Sequence, residues 1–233
     1  RTADLIVASV PLPPEMAEID ETWLEQWQRA DVLAAAAVET ALAGEGDVLT
    51  GAHVARVIAP MVPAGGLLFL GPSSPIRHAL SFAATSVAEA AVIANRGTSG
   101  IDGSVSTAWG AARALQDNGG ASTIAFLGDL TAVYDSNGLS VPDDEPRPDL
   151  VYVIADNDGG GIFSTLEQAD GRFAEVFERI FGTPSGVELP LLAEAYGIDP
   201  AVVEDAAQLR TALSAALELG GVQVIIARTC PCD

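Results

Sequence analysis

The feature that narrows the fold most is a series of apolar segments, each too short for a helix and separated by helix-patterned stretches. LLFLG at 67–71, AAVIAN at 90–95, STIAFLGDL at 122–130, LVYVIADND at 150–158 and GVQVIIA at 221–227 each read as a strand. Helical spacing of apolar residues predicts helices over 21–42, 53–61, 77–84, 102–115, 172–181, 189–196 and 206–218. The strands are apolar almost throughout rather than alternating, so both faces of their sheet must be covered. That requirement gives an α/β fold, a parallel sheet with helices on both faces. LIVASV at 5–10 reads as a further short buried strand, and PLPP at 11–14 breaks the chain after it. A length of 233 residues suits one large domain with a small appendage.

Charge removes several function classes. Acidic residues number 32 and basic ones 11, a net charge of -21, and every basic residue is an arginine. Without lysine there is no Walker-type phosphate loop, Schiff-base lysine or lysine general base. Nucleic acid and anionic membrane surfaces both demand basic clusters that this chain lacks. No apolar run reaches about 18 residues, so no membrane span is expected, and the start does not read as a signal peptide. Cys230 and Cys232 sit one residue apart, a spacing wrong for a zinc knuckle and awkward for a disulfide. These features predict a cytoplasmic protein without a structural metal. With only His53 and His78, a histidine triad or multi-histidine metal centre is not expected.

In open parallel sheets, ligands bind beyond the carboxyl ends of the strands. Three such ends carry unusual residues: Asn95 to Gly103, Gly128-Asp129-Leu130-Thr131, and Asn157-Asp158-Gly159-Gly160-Gly161-Ile162-Phe163. Glycines let backbone amides approach an anion there. Asp129 and Asn157 close successive strands, and a carboxylate plus an amide oxygen suits Mg2+ if a diphosphate supplies further oxygens. The competing reading makes Asp129 a helix cap and Asn157 a turn residue. Arg77 and Arg96 are either carboxylate receptors or surface ion pairs. His78 reads as a packed helix residue, Ile162 and Phe163 as core residues unless a motif claims them, and Trp23 and Trp27 as helix-packing anchors. VPDDEPRP at 141–148 reads as an acidic surface loop.

GDL at 128–130 followed by NDGGGIF at 157–163 resembles the thiamine diphosphate motif, which begins Gly-Asp and ends in Asn. NRGTSGIDG, GDLTAVYDSNGL and NDGGGIFSTLEQ resemble the 2-succinyl-5-enolpyruvyl-6-hydroxy-3-cyclohexene-1-carboxylate synthase family of menaquinone biosynthesis, and FERIFGTP at 177–184 is similar to its actinobacterial form. The resemblance is strong over residues 65–197. It implies thiamine diphosphate and Mg2+, or Mn2+, as cofactors. Asp129, Asn157 and the Gly159 carbonyl would hold the metal, and Ile101, Gly128, Asp129, Leu130, Asn157 and Ile162 would hold the cofactor. Ser73, Arg77, Arg96, Ile162, Phe163 and Leu166 would meet the substrates.

The implied substrates are 2-oxoglutarate, which loses carbon dioxide, and isochorismate, which receives the remaining carbon unit. Both are dianions, and arginine pairs with carboxylates bidentately. The family is built of three domains, so residues 1–18 would be a remnant of the middle one and 19–233 the C-terminal cofactor domain. A glutamate that activates the cofactor belongs to the N-terminal domain of a partner subunit in a homodimer or homotetramer. No counterpart is found here, so this chain alone is expected to be inactive. An acetolactate synthase-like carboligase would share Asp129 and Asn157, and a non-catalytic doubly wound binding module is the third reading.

Overall fold

The computed structural model describes residues 21–44, 46, 48–83, 89–95, 100–142 and 144–230. LIVASV, PLPP and Arg96 lie outside them. The chain divides into two compact units, with the boundary after Gly44.

Among the described residues of the first unit, a helix, α1, runs Glu21–Gly44. Trp23 and Trp27 are one turn apart and meet in a tilted contact, with ring centroids 5.9 Å from each other. Both are exposed, at 60% and 61%, so the expectation that they anchor packing is not met within this helix.

The second unit is built on a six-stranded parallel sheet, in the order β2-β1-β3-β4-β6-β5. Its strands are β1 Leu67–Leu70, β2 Ala91–Ala94, β3 Thr123–Gly128, β4 Leu150–Asp156, β5 Ala201–Val203 and β6 Val222–Arg228. Every pairing is parallel. The helices are α2 Gly51–Ile58, α3 Ser74–Phe82, α4 Ser104–Asp117, α5 Asp129–Tyr134, α6 Ala174–Phe177, α7 Leu189–Ala195 and α8 Ala206–Leu219.

Alternate strand residues feed two cores. Leu68, Phe126, Val153 and Ile225 join Val54 and Ile58 of α2 and Leu209 and Leu213 of α8. Phe69, Leu127, Tyr152 and Ile226 join Val105 and Ala108 of α4 and Leu189 of α7 on the other face. Strands β1, β3, β4 and most of β6 thus have the double burial that their composition demands, whereas the edge strand β2 is mostly exposed.

Tyr152 is fully buried, and its hydroxyl donates to the Val105 carbonyl at 2.8 Å. Burial drives its pKa far upward, which keeps it a neutral donor. Tyr152→Phe should lower unfolding free energy by about 1 kcal/mol in urea titrations. The loss is modest because the ring stays packed and the Val105 carbonyl belongs to a helix.

Several expected boundaries shift. β5 was not foreseen. The helix expected over 53–61 begins at Gly51, capped by Thr50, and ends in a 3-10 turn at Ala59–Met61. The helix expected over 172–181 is a 3-10 turn, a single α turn and a π turn at Glu178–Gly182. STIAFLGDL stops being strand at Gly128, because Asp129 already starts α5. Cys230 is disulfide-bonded, which corrects the expectation drawn from its spacing to Cys232. No helix among the described residues is long and apolar enough to cross a membrane.

Candidate functional site

From β1 the chain first goes outward to β2 and then crosses back to β3 on the other side of β1. The connections leaving β1 and β3 therefore diverge, and the crevice between them is where open parallel sheets bind ligands. A cavity of about 230 Å3 lies there. The β1 loop contributes Pro72, Ser73, Ser74 and Pro75, and the β3 end contributes Gly128, Asp129, Leu130 and Thr131. The β4 end contributes Ala155, Asn157 and Gly159 to Phe163. Ile101, Gly51, His78, Phe126 and Thr229 complete the wall. The volume falls below the roughly 300–1,000 Å3 of whole small-molecule sites.

Asp129 is the electrostatic centre. It is 6% exposed, and Gly128 rather than Asp129 caps α5. One carboxylate oxygen accepts the Leu130 N–H at 2.6 Å, and the other accepts the Gly159 N–H at 2.6 Å. The second bond ties the end of β3 to the turn after β4, joining two segments that the sequence holds 30 residues apart. Burial pushes the Asp129 carboxyl up to about 6, against the two N–H donors, and the charges of Asp156 and Asp158 push the same way. Burial also raises Asp156, with Arg228 opposing.

A desolvated carboxylate under such stress would gain from a cation placed beside it. Asp129 and Asn157 offer hard oxygen donors. No group of three or more His, Cys, Asp or Glu able to hold a metal occurs among the described residues. A cation here would need further oxygens, such as those of a diphosphate bound with Mg2+. Gly128 suits such a ligand, because a Cβ there would meet nothing within 4 Å and the backbone borders open space. The donor set therefore fits Mg2+ with a diphosphate.

Family and relatives bear directly on this geometry. Residues 78–227 match the family described as "Thiamine pyrophosphate enzyme, C-terminal TPP binding domain". The chain belongs to that family. Among proteins it resembles, the 2-succinyl-5-enolpyruvyl-6-hydroxy-3-cyclohexene-1-carboxylate synthase of Saccharopolyspora erythraea is 45% identical over 83% of this chain and 34% of its own length. The synthase of the same name from Thermobifida fusca is 44% identical over 91% of this chain and 37% of its own. The one from Nocardia farcinica is 46% identical over 79% and 33%. The chain thus spans about a third of the length of the curated relatives it matches. A solved structure of a candidate thiamin diphosphate-dependent enzyme from Mycobacterium smegmatis superposes with a TM-score of 0.62. It is 20% identical over 78% of this chain and 32% of that one, a likeness of fold.

The remaining residues singled out from the sequence are placed unevenly. Ser73, Ile101, Ile162 and Phe163 line the cavity, the last packing on Phe181 with centroids 5.5 Å apart. Ser73 has φ 75, a left-handed conformation rare for serine and typical of strained functional turns. Arg77 is exposed and does not line the cavity; its guanidinium donates to the Ser73 carbonyl at 2.7 Å and holds that turn. Leu166 is 49% exposed and also outside the lining. The Gly159 carbonyl accepts the Gly161 N–H at 3.0 Å, leaving a lone pair for a metal. Sequence reasoning missed Gly51 and Thr229. The only signal for Thr229 is its position just past the last strand.

Proposed function

We propose that this chain is the cofactor-binding part of a 2-succinyl-5-enolpyruvyl-6-hydroxy-3-cyclohexene-1-carboxylate synthase, a transferase of menaquinone biosynthesis acting on 2-oxoglutarate and isochorismate. The observation that carries this reading is the bond from the Gly159 N–H to the buried Asp129 carboxylate. It brings the two halves of the motif together, which supports the reading in a chain 44–46% identical to synthases of that name.

Bound thiamine diphosphate would supply the nucleophilic carbon and the electron sink that decarboxylation of a 2-oxo acid needs. Asp129 and Asn157 would hold Mg2+, or Mn2+, with the Gly159 carbonyl. Gly128 and Leu130 would keep the diphosphate against the sheet, and Ile101 and Ile162 would wall the ring system. Phe163 would exclude water beside the reacting carbon. Ser73, held in its strained turn by Arg77, would orient a substrate carboxylate, with Arg96 as a second receptor. We further propose that the working protein is a cytoplasmic homodimer or homotetramer. In it, the N-terminal domain of a partner subunit closes the site, so this chain by itself does not turn over.

The test uses the protein at its full natural length, supplied with 2-oxoglutarate, isochorismate, thiamine diphosphate and Mg2+. Isochorismate should disappear, and Asp129→Ala should abolish its loss. A folded, cofactor-loaded protein that leaves isochorismate untouched would sink the substrate assignment and favour another carboligase. Absence of any cofactor binding would favour a non-catalytic module.

A further inference from the structure

The chain carries two cysteines, Cys230 and Cys232, with Pro231 between them, and neither has a role in the proposed reaction. Cys230 is disulfide-bonded, and Cys232 is the one other cysteine in the sequence, so the bond closes across a single residue. A bridge over so short a loop constrains the unfolded chain little and makes a poor staple. Closing it is also costly. Backbone ahead of a proline prefers to be extended, and extended backbone sets Cα atoms two positions apart at about 7 Å, the outer edge of disulfide geometry. Disulfides that are strained or reachable are the labile ones that exchange with cellular thiols. Cys230 is only half-buried, so a small thiol has access to it.

The position of the pair gives exchange a consequence. Thr229, the residue before Cys230, lines the same cavity as Asp129 and Asn157. Its N–H donates to the carbonyl of Asp156, the last residue of β4, at 2.8 Å. The Cys230 N–H donates to the Leu49 carbonyl at 3.0 Å, next to the Thr50 cap of α2. Leu49 is 2% exposed and belongs to the core, so this second bond fastens the chain to a fixed point. Two consecutive amides past β6 thus hold one wall of the cavity to β4 and to the start of α2. The disulfide acts directly on the outer of these two anchors.

We propose that Cys230 and Cys232 are a reversible dithiol–disulfide couple whose oxidised form clamps Thr229 and Cys230 in these two bonds. In the reducing direction, a thiolate of glutathione or of a protein dithiol attacks one sulfur, the S–S bond breaks and a mixed disulfide forms. The displaced cysteine thiolate takes a proton from water. A second thiolate then resolves the mixed disulfide, and the other cysteine takes a proton in turn. Two electrons and two protons pass to the protein, and the reductant leaves as its own disulfide. Opening the ring returns to Cys230 the backbone freedom that the bridge removes, and the cavity wall loosens with it.

The experiment equilibrates the protein at its full natural length in glutathione buffers from reducing to oxidising, alkylates free thiols and weighs the peptide that carries both cysteines. Both should be alkylated together at the reducing end and protected together at the oxidising end, with the change falling inside the range that glutathione covers. Hydrogen exchange at the Thr229 and Cys230 amides should be about tenfold or more faster in the reduced protein, with the centres of β3 and β4 unchanged. Cys232→Ser, which cannot close the ring, should exchange fast at both ends. Should that variant not fold, wild-type protein in the two buffers carries the same comparison. A pair that stays oxidised, or stays reduced, throughout overturns the couple. Equal exchange in the two states overturns the clamp. A bridge from this peptide to another chain, found by digestion without reductant, gives the cysteines to assembly and overturns both. None of these readouts uses thiamine diphosphate, so they stand apart from the cofactor assignment.

Discussion

Asp129→Asn should abolish Mg2+-dependent binding of thiamine diphosphate, while its melting temperature relative to wild type climbs as the pH rises from about 4 to about 6. The first effect follows because the amide carries no charge for the cation. The second follows from linkage. Burial raises the folded-state carboxyl from 3.8 to about 6. A carboxyl raised on folding contributes stability that is fully present below its unfolded value and lost as the pH rises through its folded value. A difference of 6 minus 3.8, about two units, corresponds to about 3 kcal/mol of strain in the ligand-free protein at neutral pH. Asparagine does not titrate and escapes that loss. It recovers only part of the difference, since its NH2 must face one of the two N–H donors from Leu130 and Gly159. Calorimetric melts of both proteins in a chelator, taken across that pH range, measure the trend. A flat difference would mean that Asp129 is not stressed by burial.

The second large effect is expected at Gly159. Its φ is 130, a conformation that side chains rarely adopt, and a Cβ there would lie 2.2 Å from the Gly182 carbonyl oxygen. The obstacle is backbone and cannot swing away. Gly159→Ala should therefore cost about 3 kcal/mol or more in unfolding free energy and release the N–H that Asp129 holds. Gly128→Ala is the contrasting case. Its φ is -88 and a Cβ meets nothing within 4 Å, so stability should change by about 0.5 kcal/mol or less. Its methyl group would enter the space reserved for the ligand, and cofactor affinity should fall. Urea titrations and cofactor calorimetry on the two variants should give opposite orders of damage. Equal effects would place Gly128 in the packing and not in the site.

The sheet was legible because its strands are apolar on both faces, a composition few other elements tolerate. Phe126 and Leu127, adjacent in sequence, go to opposite cores and both belong to strand β3. The pairing of Asp129 with the glycine turn was legible for a related reason: both close strands that are neighbours in the sheet. Where the chain is short or irregular, pattern failed. Ala201–Val203 is three residues long, too few to show a period. FAEVFERIF has helical spacing, yet Gly171 and Gly182 bracket a stretch that the structure breaks into 3-10, α and π turns. His78 was expected to pack on its helix; it does pack, but against a glycine in another helix and beside the cavity. No local pattern reveals that contact, because Gly51 acts through what it lacks.

The turn after β4 is fastened from two directions. Asp129 takes the Gly159 N–H on one side, and on the other the Gly182 carbonyl, in the π turn, accepts the Gly160 N–H at 2.6 Å. A loop held at consecutive amides by distant parts of the chain has surrendered its freedom during folding, before any ligand arrives. Binding there removes little further motion, so ligands compete on shape and charge alone. The same stiffness ties recognition to assembly: loosening the π turn, far along the chain, would blunt the receptor as surely as altering the carboxylate itself.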